Sequence, residues 1–155
     1  MRYLLCILLV AGGLVSGVLV TPLHAQRASG SIGVGTQAGQ PGGFTVKTYG
    51  ANPWAGVFSL GTNFRDQTVA HVHLLRERDL PESALWVFWG PSLFLGLRSL
   101  DTRSRVVAGA GARVGLNFYT ERIEVYLHAS PRAEGLPAPD VRIGGSVGLR
   151  YYLRF

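Results

Sequence analysis

The last fifteen residues, VRIGGSVGLRYYLRF, constrain the fold more than any other stretch. Taken in twos, Val141, Ile143, Gly145, Val147, Leu149, Tyr151, Leu153 and Phe155 share one face of an extended strand. Arg142, Gly144, Ser146, Gly148, Arg150, Tyr152 and Arg154 share the other. Successive strand side chains point to opposite faces, so this stretch carries one apolar face and one face of polar and small residues.

The same alternation returns upstream. Val106 to Tyr119 sets Val106, Ala108, Ala110, Ala112, Val114, Leu116 and Phe118 against Val107, Gly109, Gly111, Arg113, Gly115, Asn117 and Tyr119. Arg122 to Ser130 sets Ile123, Val125, Leu127 and Ala129 against Glu124, Tyr126, His128 and Ser130. Shorter strands are expected at Ser31 to Thr36, Phe44 to Tyr49, Trp54 to Thr62 and Thr68 to Leu75. In the last of these, Ala70, Val72 and Leu74 oppose His71 and His73. Ala84 to Leu97 reads as a further strand. Its alternation is blurred by the run Leu85 to Trp89, and Pro91, which has no ladder donor, predicts a bulge or bend. The connections are short, and no helical periodicity follows residue 25. Eight strands in sequential antiparallel hairpins can close into a narrow barrel.

The N-terminus reads differently. A basic Met1-Arg-Tyr opening, an apolar run from Leu4 to Val20 and a small residue at Ala25 match a secretory signal, which assigns residues 1–25 to a signal peptide and 26–155 to the barrel. Cys6 lies within that segment, so residues 26–155 contain no cysteine and no disulfide or thiolate chemistry. Charged residues make up 15% of the chain, against about 25% in an average soluble domain. No apolar run beyond the N-terminus is long enough for a membrane helix, which leaves a transmembrane barrel as the way to place this much apolar surface. The formal charge of +6 comes from arginines spread along strands and loops, with no nucleic-acid motif.

Alternation alone also suits a soluble barrel with its apolar face inward, and the glycines decide between the two. Strand glycine costs entropy and gains nothing on a water-exposed face, whereas a crowded lumen needs small neighbours beside Arg113, Arg142 and Arg150. The apolar face is therefore expected to meet lipid. With an even strand number both mature termini are expected in the periplasm. The turns at 50–53, 76–83 and 120–121 then lie on that side, and the loops at 37–43, 63–67, 98–105 and 131–140 lie outside the cell.

The expected lumen holds Lys47, Tyr49, His71, His73, Arg113, Asn117, Glu124, Tyr126, His128, Arg142, Arg150, Tyr152 and Arg154. An eight-stranded interior is only wide enough for side chains to fill, so these residues are expected to form a polar plug. Buried charges must be paired, and Glu124 is the only acid this reading places inside, facing Arg113 or Arg150. The excess of arginine calls for rim positions, water or an anion. His71 and His73 share a face, but two imidazoles need a third ligand to hold a metal, and no metal or other cofactor is implied.

His128-Ala-Ser130 resembles the His-x-Ser pair of the outer-membrane lipid A deacylases, also eight-stranded barrels. There the imidazole activates the hydroxyl and a downstream Glu orients the imidazole. In this chain Arg142 stands where a strand-borne Glu is expected, and the pair falls on the lumen face. A deacylase using His128 and Ser130, or a narrow channel, is the alternative to a non-enzymatic barrel.

From Ser31 to Phe155 the chain resembles the small OmpA-like outer-membrane barrels of Gram-negative bacteria. Ser31-Ile-Gly-Val-Gly35, His71-Val-His-Leu74, Val114-Gly-Leu-Asn-Phe-Tyr119, Ile123-Glu-Val-Tyr-Leu127 and Gly148-Leu-Arg-Tyr-Tyr152 carry the likeness. The departure is His128, where that pattern leads one to expect an acid. The resemblance implies a closed barrel in the outer membrane, in contact with lipid and lipopolysaccharide, and no particular reaction. It also implies that Tyr151, Leu153 and Phe155 form the terminal aromatic signal read by the barrel-assembly machinery. With the last strand ending on Phe155, no wall-binding domain is expected after it.

Overall fold

Each of the expected strands forms, and most are longer than the sequence suggests. The computed structural model describes residues 29–50, 53–63, 67–100, 103–136 and 139–153. Residues 1–25, expected to be a signal peptide, and Arg154 and Phe155 lie outside them. The strands are β1 (Ile32–Gln40), β2 (Gly42–Tyr49), β3 (Trp54–Thr62), β4 (Gln67–Asp79), β5 (Leu85–Leu100), β6 (Arg103–Tyr119), β7 (Ile123–Leu136) and β8 (Asp140–Leu153). Each pairs antiparallel with its neighbour in sequence, and β1 pairs with β8, closing an up-and-down barrel. Closure leaves no free edge, so every strand finds partners on both sides. Among the described residues no helix is long and apolar enough to cross a membrane, which says nothing about a crossing made by strands.

One end of the barrel, here the proximal end, carries Ile32, Leu153 and the connections β2–β3, β4–β5 and β6–β7. The other connections mark the distal end. β4 and β7 continue well past their expected ends, to Asp79 and Leu136, into stretches that charge and proline had suggested were loops. Pairing explains the extension. Arg76 to Asp79 pair with Trp89 to Trp86, and Pro131 to Glu134 pair with Ile143 to Asp140. Pro131 is tolerated within this ladder, just as Pro91 is within β5. No register shift occurs at Pro91: the β4–β5 register on its two sides is the same, and Pro91 sits opposite Ala112. The bulge falls instead between Ala108 and Gly109, opposite the Glu134–Leu136 segment of β7.

The two faces separate as the glycine argument requires. Val34, Phe44, Phe58, Leu60, Val72, Leu74, Leu93, Leu95, Val114, Leu127, Ile143 and Leu149 all point outward and are exposed. A soluble monomer rarely exposes an apolar patch beyond about a few hundred Å², whereas this face runs around the barrel. Inside lie Lys47, His71, His73, Arg113, Asn117, Glu124, Tyr126, His128, Arg150 and Tyr152, all buried.

The lumen is not wholly polar. Phe88 and Phe94 of β5, where the blurred alternation leaves the facing of side chains open, are buried inside. Each sits directly opposite a glycine of β6, Phe88 by Gly115 and Phe94 by Gly109. Tyr126 opposite Gly148, and Tyr152 opposite Gly33, repeat the arrangement. The inward glycines thus receive aromatic rings from the adjacent strand, as well as leaving room for arginine. A Cβ on Gly148 would lie 2.3 Å from the Tyr126 ring, so only glycine fits beneath it.

Candidate functional site

Alternation on β2, β4, β6, β7 and β8 delivers one or two polar residues from each strand into the proximal half of the lumen. There they close into a network. The Lys47 ammonium donates to Glu77, to the Tyr119 hydroxyl at 2.9 Å and to Glu124 at 2.9 Å. Arg150 donates from Nη1 to Glu124 at 3.0 Å and from Nη2 to Thr45 Oγ1 at 3.0 Å. Tyr152 donates to the other Glu124 oxygen at 2.6 Å, and Tyr49 donates to Glu77 Oε2 at 2.8 Å. Asn117 Nδ2 reaches Glu77 at 2.7 Å. The Arg150 guanidinium also lies over the Tyr126 ring, 3.8 Å from its centroid, and Tyr126 donates to Gln37 Oε1 at 3.0 Å. Two cations, Lys47 and Arg150, are balanced by two carboxylates, Glu77 and Glu124. Such matching allows charges to sit in a low-dielectric interior.

A second network closes the distal end. Arg98 Nη2 donates to Glu134 Oε2 at 2.6 Å, Arg142 Nε to Asp140 at 2.8 Å, and Arg132 Nη2 to Gln67 Oε1 at 3.4 Å. Arg142 belongs to this rim and not to the packed interior: its side chain is 37% exposed, and it lies 3.6 Å from Glu134. The expectation that it fills the lumen is corrected by the length of β8, which carries its first residues beyond the packed interior.

Glu124 is not the only acid inside. Glu77 and Glu134 are also buried. Both were legible as continued alternation, His71-x-His73-x-Leu75-x-Glu77 and His128-x-Ser130-x-Arg132-x-Glu134, had the strands been carried through their charged and proline-bearing ends. Arg150 pairs with Glu124, whereas Arg113 does not enter any ion pair among the described residues.

Between the two networks lie His71, His73, His128, Arg113 and Ser130. The His71 and His73 rings stack at 5.4 Å, His71 stacks on Phe94 at 5.4 Å, and His128 stacks on Tyr126 at 5.9 Å. Neither ring nitrogen of His128, nor Ser130 Oγ, has a hydrogen-bond partner among the described residues. The pair therefore lacks both the Ser–His bond and the orienting carboxylate that acyl transfer requires, and it faces the lumen rather than the outer surface. Among the described residues no three of His, Cys, Asp and Glu are grouped to hold a metal. Tyr151 and Leu153 point outward at the proximal end.

A scan with protein-family models finds no match, and no curated protein is significantly similar in sequence. Among solved structures, the N-terminal β-barrel domain of Pseudomonas aeruginosa OprF is similar at a TM-score of 0.52 and 14% identity. The match covers 79% of this chain and 96% of that domain. At this identity the likeness speaks to fold alone. The fold of this chain is an eight-stranded, closed, antiparallel up-and-down barrel, the fold shared with that domain.

Proposed function

We propose that this protein is an integral outer-membrane barrel with a plugged lumen and a structural or surface-interacting role rather than a catalytic one. The observation that carries this reading is the sorting of side chains: aliphatic and aromatic residues outside, a hydrogen-bonded polar interior within. A transmembrane barrel needs that outer face, because lipid rewards apolar contact and penalises charge. The Lys47–Glu77–Glu124–Arg150 network supports the plug, because it joins β2 and β8 to β4 and β7 across the lumen. Under this reading both mature termini are periplasmic, the distal rim meets lipopolysaccharide, and the Tyr151-x-Leu153-x-Phe155 ending engages the barrel-assembly machinery. The His128–Ser130 alternative is disfavoured by the burial of both side chains away from the outer surface.

The test uses the chain from Gln26 onward, folded into detergent. Unboiled and boiled samples are compared on a denaturing gel, and the same sample is assayed for lipid A deacylation and for conductance in a planar bilayer. The proposal expects a mobility shift with neither deacylation nor discrete conductance. Deacylation abolished by Ser130→Ala would replace it with the enzyme reading, and steady conductance would replace it with a channel. A protein soluble without detergent would overturn the membrane assignment.

A further inference from the structure

Arg113 is 1% exposed, yet its Nε and Nη1 have no hydrogen-bond partner among the described residues. The carboxylates are already engaged. Glu77 and Glu124 are held by Lys47, Arg150, Asn117 and the tyrosines, and Glu134 and Asp140 by Arg98 and Arg142. The proximal network is neutral with two charges of each sign, so Arg113 adds one uncompensated positive charge to the middle of the lumen. Leaving a buried charge unpaired is strongly unfavourable. The surrounding groups carry unused hydrogen-bonding capacity too. His71 Nε2, both nitrogens of His73, both nitrogens of His128 and Ser130 Oγ all lack partners. The three imidazoles all stand within electrostatic reach of Arg113. Register places Gly90 beside Arg113 on β5, and Ser130 next to Ala129, the partner of Val114, on β7. On its own strand the inward neighbours of Arg113 are Gly111 and Gly115.

We propose that Arg113, with His71, His73, His128 and Ser130, forms an internal binding site for a small monovalent inorganic anion of halide size. A single negative charge matches the single guanidinium of Arg113. Size points the same way, since an eight-stranded interior leaves little space between side chains. Imidazole N–H, hydroxyl and guanidinium are all donors to such an ion, and charge-assisted donation is the strongest kind available here. The site goes beyond the proposed function and does not depend on it: a barrel in any surroundings has to settle this charge.

The test is bromide. Crystals of the folded barrel grown with bromide as the sole halide are measured at the bromine absorption edge. In parallel, the unfolding midpoint is followed as bromide replaces gluconate at constant ionic strength, since a ligand that binds only the folded state raises it with concentration. The proposal expects an anomalous peak within hydrogen-bond distance of Arg113 and a midpoint that climbs with bromide. Arg113→Gln should abolish the peak and weaken binding about ten- to a hundred-fold, the loss expected for a charged hydrogen bond. Arg113→Lys, which keeps the charge, should retain the peak. Water alone at Arg113 in the wild-type crystal, or a midpoint indifferent to bromide, would overturn the proposal whether or not Arg113→Gln folds.

Discussion

Glu124 is fully buried and accepts hydrogen bonds from Lys47, Arg150 and Tyr152. Its two oxygens thereby tie β2, β7 and β8 together across the lumen. Removing one member of a buried ion pair strands the others, so Glu124→Gln should lower the free energy of unfolding by about 3–5 kcal/mol, read from urea unfolding in lipid. Glu134→Gln should cost less, because its partners Arg98 and Arg142 are 13% and 37% exposed and can turn to water. The histidines respond differently to the same logic. His71, His73 and His128 enter no ion pair among the described residues, so substituting one of them strands no partner charge.

At the scale of strands, the repeated device is an aromatic ring laid over a glycine of the neighbouring strand. Tyr126 on Gly148 is the tightest case. Gly148→Val should force that ring away, breaking the Tyr126–Gln37 bond and the Arg150 stacking, and should destabilise by about 1–3 kcal/mol, the usual cost of overpacking. A smaller penalty in a Tyr126→Leu background, measured by a double-mutant cycle, would identify the ring as the cause. This device also explains what could be read from the sequence. The strict alternation of β6, β7 and β8 was legible residue by residue, and the Gly–Arg pattern pointed to a crowded interior. Phe88 and Phe94 were not legible, because Leu85 to Trp89 is apolar on both faces and parity disappears. Glu77 and Glu134 were missed for the opposite reason. Charge and proline look like loop chemistry until a neighbouring strand is known to pair there. The bare Arg113 could be suspected as an excess of arginine, but its isolation depends on which acids the others claim.

At the scale of the whole molecule, the barrel presents an apolar exterior, an ionic network near each end, of which the proximal one is balanced, and a donor-rich middle. Lipid should read the outer face by depth. Val72 lies mid-strand and Val141 at the distal rim, both exposed outward. Val72→Arg should cost about 2–4 kcal/mol in a bilayer, and Val141→Arg about 0–1, measured by urea unfolding from vesicles. Equal costs at the two depths would argue against a lipid environment. The most direct test of the inside-outside assignment uses tryptophan fluorescence in vesicles of acyl-chain-brominated lipid. Trp89 points outward and is 40% exposed, whereas Trp86 packs edge-on against Tyr119 at 6.4 Å. In single-tryptophan variants that keep one or the other, strong quenching of Trp89 with Trp86 protected is the predicted result. Quenching of neither residue, with the protein remaining in solution, would contradict it.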